Sequence, residues 1–184
     1  MNKLFVDFHV IQTVPPSCVN RDDTGSPKTA VYGGAKRARV SSQSWKHAMR
    51  DMFREYFDES ELGMRTVKVV QMLAHAICLQ DNSKNEEEAL TLARDIVKAM
   101  DLKTEKNDDL QALFFLGTQQ CKNLAALALS GDLDKKSLKK VLGEGHAVDI
   151  ALFGRMVAAD PTLNCDASSQ VAHAISTHAV TSEF

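Results

Sequence analysis

With 184 residues, 44% of them hydrophobic, and a formal charge of −2, the chain is long enough for a packed core and too apolar for a disordered tail. Its 22 bases against 24 acids supply no whole-molecule pull on a polyanion, so a nucleic-acid reading has to rest on local segregation of charge. No apolar run approaches the roughly 20 residues of a membrane helix. The four cysteines form no CxxC pair and no signal-peptide pattern opens the chain, so a reducing, cytoplasmic location without a membrane is expected.

In chain order, residues 3–13 alternate, with Leu4, Val6, Phe8 and Val10 on one side and Phe5, Asp7, His9 and Ile11 on the other, which predicts a strand. Residues 14–28, rich in Pro, Gly, Ser, Asn and Asp, predict a long surface loop. "TAVYGGAKRARV" reads as two short strands meeting at Gly33-Gly34, with Arg37 and Arg39 on one face of the second. One of Ser41, Ser42 or Ser44 then caps a helix whose stripe is Trp45, Ala48, Met49, Met52, Phe53 and Tyr56, beside a ridge of Lys46, Arg50 and Arg54. Helical patterns follow at 65–79, 86–100, 107–129 and 134–142. Extended patterns return at 147–158 and 169–180.

The order strand, loop, strand, helix, helical block, strands predicts an α+β sheet domain interrupted by a helical insertion. Three segments are expected: 1–57, then a helical insertion over 58–146, then 147–184, which returns to the sheet.

The strongest chemical signal is the window from Thr24 to Arg50, which holds Lys28, Lys36, Arg37, Arg39, Lys46 and Arg50 and no acid. A run of cations is often only wet surface. Here they come from a loop, a strand face and a helix start, where hydroxyls and unpaired helix N–H groups would also bind phosphate. Aromatic residues are scarce, which predicts tracking of the sugar-phosphate backbone rather than base stacking. Lys135, Lys136, Lys139 and Lys140 form a second basic spot, read from spacing as a solubilising helix end, and spacing alone makes Met156 a core residue. Asp22-Asp23, with His9 or His47 nearby, is the one catalytic candidate, a metal site or a general base, although paired loop carboxylates more often close Asx turns. His173 and His178 fall on opposite strand faces, against joint ligation. No cofactor motif and no metal-ligand spacing is present.

"HVIQTVPPSCVNRDDTGSPKTAVYGGAKRARVSSQSWKHAMR", with "MRT" at 64–66, "VDIALFGRM" at 148–156 and "AHAISTHAV" at 172–180, closely resembles the CasC family, the guide-RNA-binding backbone subunit of the type I-E CRISPR Cascade complex. Family members run longer, so the chain is expected to correspond to their N-terminal half or so. The resemblance implies an RRM/ferredoxin-like palm, a helical finger domain and the start of a thumb. It also implies a non-enzymatic scaffold in an antiviral ribonucleoprotein, polymerising with further copies and other Cascade subunits along the crRNA and presenting it to a target DNA strand. Matched position by position, the guide contacts fall on Arg21, Lys28, Ser41, Gln43, Lys46 and Arg50. The finger lysines correspond to Lys135 and Lys139, and Met156 takes the place of a residue wedged at displaced nucleotides. Related backbone subunits of type III effectors, which cut RNA from a loop aspartate, imply the alternative: a metal-dependent ribonuclease subunit using Asp22 or Asp23.

Overall fold

The computed structural model describes residues 4–157 and 160–181; Lys3 and Ala158, end residues of two predicted strands, and residues 182–184 of the last predicted segment lie outside them. The chain forms two compact units, one from residues 1–45 with 172–184 and the other from 46–171. The architecture is mixed α and β, with two small antiparallel sheets and several helices. Among the described residues no helix is long and apolar enough to cross a membrane.

The first unit is built on a hairpin of β1 (Thr29–Tyr32) and β2 (Ala35–Val40), with Tyr32 opposite Ala35. Gly33 and Gly34 both have positive φ, 61° and 74°, which a tight two-residue hairpin turn demands and glycine supplies without strain. A two-residue strand, β5 (Ala174–Ile175), pairs with the other edge of β2, Arg39 opposite Ile175. Only this fragment of the predicted 169–180 strand is regular. The predicted strand at 3–13 is a correction, because residues 4–13 have no regular structure and Leu4, Phe8 and Ile11 are 88–91% exposed. Its alternation puts apolar groups on both faces, and such a segment is held as a strand only when neighbours bond its edges and cover its sides.

Helix α1 (Ser42–Tyr56) starts in the first unit and continues into the second. In the second unit β3 (Gly63–Thr66) pairs antiparallel with β4 (Phe114–Gly117), Gly63 opposite Gly117. Around them pack α2 (Val69–Gln80), α3 (Glu86–Ala99), α4 (Thr118–Leu129) and α5 (Lys135–Gly143). Val69, Leu73 and Ile77 of α2, Ala93 and Ile96 of α3, Leu116 of β4 and Leu124 of α4 are fully buried in one core.

Two of the predicted helices begin too early. The start of the 65–79 pattern is β3, and the 107–129 pattern contains β4 before α4 begins at Thr118. All four residues of β4 are buried, and pairing with β3 satisfies their backbone groups, so tertiary contact overrides the helical pattern. The 147–158 extended pattern is likewise corrected to a short helix, α6 (Val148–Phe153). It ends at Gly154, where φ is 77° and an added Cβ would lie 2.8 Å from the Cys165 carbonyl oxygen.

Candidate nucleic-acid interface

In the first unit, residues 21–27 close on themselves through a bridge between Arg21 and Pro27. Asp22 Oδ1 accepts from Thr24 N–H at 2.9 Å, Thr24 hydroxyl at 2.7 Å and Ser26 N–H at 3.0 Å. The Thr24 hydroxyl above all, with the two backbone N–H groups, holds this carboxyl below its ordinary value. Asp22 thus acts as an Asx-turn hub, and among the described residues no group of three or more His, Cys, Asp or Glu is placed to hold a metal ion. Arg21 donates to the Gly25 carbonyl at 2.7 Å and remains exposed, while Lys28 follows at the entry to β1.

Arg37 and Arg39 share one face of β2, as the alternation predicts, but it is the more covered face. Arg37 donates to the carbonyls of Tyr32 and Ser176, both at 3.0 Å, which ties the hairpin to the 174–176 segment. The α1 N-terminus differs from the expected set of unpaired N–H groups. Ser42 N–H donates to His173 Nδ1 at 2.9 Å and Ser44 N–H to Ser41 Oγ at 3.3 Å. Ser41 is 3% exposed, its own N–H bonded to Asn20 Oδ1, so its hydroxyl serves as the helix cap. Asn20 and His173 are the capping partners that sequence reading missed; both act across the fold and leave no local pattern.

Along α1, Gln43, Lys46 and Arg50 are three and four residues apart and so share a face. Within the second unit the Arg50 guanidinium carbon lies 5.0 Å from the Phe153 ring centre and 5.4 Å from that of Phe115, and Lys46 Nζ lies 5.8 Å from Phe153. Phe53 stacks on Phe153 at 5.9 Å with planes 2° apart. Burial pulls the Arg50 guanidinium down from its ordinary value, opposed by the Asp149 charge. The rings hold both cations by cation–π attraction, and neither cation forms an ion pair among the described residues.

Of the basic residues in the 24–50 window, Lys28, Arg37, Arg39, Lys46 and Arg50 form no ion pair with an acid among the described residues. Lys135 and Lys139 do: Lys135 bonds Asp101, and Lys139 lies 2.9 Å from Asp160 and bonds the Thr162 hydroxyl. Met156 is 83% exposed between buried Arg155 and Val157, so the reading of it as a core residue is corrected. The alternation comes from an antiparallel bridge between Arg155 and Cys165, which turns one residue in and the next out.

The family model of CT1975-like protein matches residues 6–184. Among solved structures, a chain of a CRISPR RNA-guided surveillance complex is similar at 33% identity and a TM-score of 0.71, over 93% of this chain and 58% of that one. A chain of a second, pre-nicking CRISPR RNA-guided surveillance complex is similar at 31% identity and a TM-score of 0.69, over 90% of this chain and 50% of that one. The 184 residues therefore span 50–58% of the length of these two chains. No curated protein matches.

Proposed function

The chain belongs to the CT1975-like protein family, and from that premise we propose that it is a guide-RNA-binding backbone subunit of a type I-E CRISPR surveillance complex, akin to CasC. In this reading the first unit contributes to an RRM-like palm and the α2–α5 body is the finger domain. The subunit is a cytoplasmic, non-enzymatic scaffold. It polymerises along the crRNA with further copies and other subunits and holds the guide open to a target DNA strand.

The observation that carries the reading is the contrast in charge pairing. Lys28, Lys46 and Arg50 have no acid at ion-pair distance among the described residues, although the chain carries more acids than bases. Cations outside ion pairs suit the phosphates of a bound strand. Arg21 and Lys28 of the first unit and Lys46 and Arg50 of the second supply charge, Gln43 a polar contact on α1, and buried Ser41 the cap of that helix. Met156 is the exposed apolar group for parting nucleotides. Lys135 and Lys139 contribute only if RNA displaces Asp101 and Asp160.

Neutralising four phosphates gives a slope of log affinity against log salt of about −2.8, at about −0.7 per phosphate for a single strand. Lys46→Ala should reduce its magnitude by about 0.7 and weaken all guide sequences alike, measured by fluorescence anisotropy across salt. An unchanged slope in Lys46→Ala would remove Lys46 from the interface.

A further inference from the structure

Cys165 differs from the other cysteines in what faces it. Its Sγ lies 3.5 Å from His146 Nε2, and its backbone pairs with that of Arg155 in both directions, at 2.9 and 2.8 Å. Arg155 is 5% exposed, and its guanidinium donates to the carbonyls of Leu163, Phe115 and Leu142 and to Gln120 Oε1. All four acceptors are neutral, and among the described residues no carboxylate pairs with it. A buried cation held only by dipoles favours a negative charge beside it, and Cys165 is the residue paired with Arg155 along the backbone.

The imidazole is set to receive a proton. Burial first, and the Arg155 charge second, hold His146 below the ordinary imidazole value of 6.5, so it is neutral at neutral pH. Gln120 Nε2 lies 3.2 Å from Nδ1 and also donates to the carbonyls of Leu142 and Glu144. Nε2 is the ring nitrogen that faces sulfur, and in the tautomer protonated at Nδ1 its lone pair is the acceptor for the thiol proton. Both Cys165 and His146 are half-exposed. Cys121, by contrast, is buried, its thiol pushed up to about 12, and Cys18 is exposed with only the Asn20 carbonyl beside it.

We propose that Cys165 is a thiolation site that exchanges with low-molecular-weight disulfides, with His146 as its proton acceptor. His146 Nε2 takes the thiol proton as the sulfur attacks one sulfur of the disulfide. The new S–S bond forms while the old one breaks, and the departing thiolate takes the proton back from the imidazolium. Cys165 is oxidised to a mixed disulfide and the small disulfide is reduced to one free thiol and one bound half. The adduct sits on the Arg155–Cys165 bridge that turns Met156 outward. Nothing in this step depends on the RNA-binding reading.

The test treats the full 184-residue chain with oxidised glutathione at neutral pH and follows each cysteine by peptide mass spectrometry. Cys165 should gain the adduct about tenfold faster than the more exposed Cys18, because His146 Nε2 stands 3.5 Å from its sulfur to take the proton. His146→Gln should slow Cys165 about tenfold and leave Cys18 unchanged. Reaction of Cys165 no faster than that of Cys18, or no slower in a folded His146→Gln chain, overturns the assignment. Where His146→Gln fails to fold by circular dichroism, the ratio of the two rates in the unsubstituted chain decides alone.

Discussion

Gly63 carries more of the second unit than its size suggests. A Cβ there would lie 2.9 Å from Phe115 Cε2, 3.1 Å from Asp149 Oδ1 and 3.3 Å from Ile150 Cδ1. Gly63→Ala should therefore destabilise by about 1–3 kcal/mol, the usual cost of overpacking, in urea denaturation. Gly143→Ala, which meets open space, is the matched control and should cost little. The same corner holds a titration. Burial raises Asp149 above 3.8, against hydrogen bonds donated by the Gly63 and Ile150 N–H groups and the charge of Arg50. As pH rises through 3.8 the unfolded chain releases this proton first, so the group's contribution to stability falls until the folded carboxyl ionises too. Asp149→Asn keeps an acceptor oxygen and removes the charge, so its stability relative to the unsubstituted chain should rise with pH across that window in denaturation curves. A constant difference would show that Asp149 does not titrate abnormally.

At the scale of elements, legibility follows the reach of the signals. Helices α3 and α5 were readable because their caps are local: Asn85 and Glu88 exchange a capping box, and Asp134 accepts from Lys136 and Ser137 N–H. The β1–β2 hairpin was readable from Gly33-Gly34. Helix α6 was not, because its end is secured from a distance. Ser168 donates N–H and hydroxyl to the Ala151 carbonyl, and Ser169 does the same for Leu152. Those carbonyls would otherwise be the unpaired ones of a helix C-terminus. The double variant Ser168→Ala, Ser169→Ala should cost about 1–2 kcal/mol in thermal unfolding, since the backbone donors stay. No loss would mean the hydroxyls add nothing. The candidate interface divides along the same line. The cations of the window stood out as sequence, whereas the burial of Ser41, the rings flanking Arg50 and the acids on Lys135 and Lys139 come from packing between distant segments.

For the whole molecule, the outstanding fact is that charge and apolar surface both remain open. Leu4, Phe5, Phe8, Val10 and Ile11 are exposed, as are Met52 and Tyr56 of the α1 stripe, while Lys28, Arg37, Arg39, Lys46 and Arg50 form no ion pair with an acid among the described residues. The fold is shared with chains of CRISPR RNA-guided surveillance complexes, over 58% and 50% of their length. The claim on which the account rests is that this chain holds RNA by its backbone. Equilibrium binding of two guide-length RNAs of unrelated sequence, titrated across salt, tests it most directly. The account predicts one slope near −2.8 for both and affinities within about threefold of each other. A slope near zero, or affinities that separate widely with sequence, would contradict it.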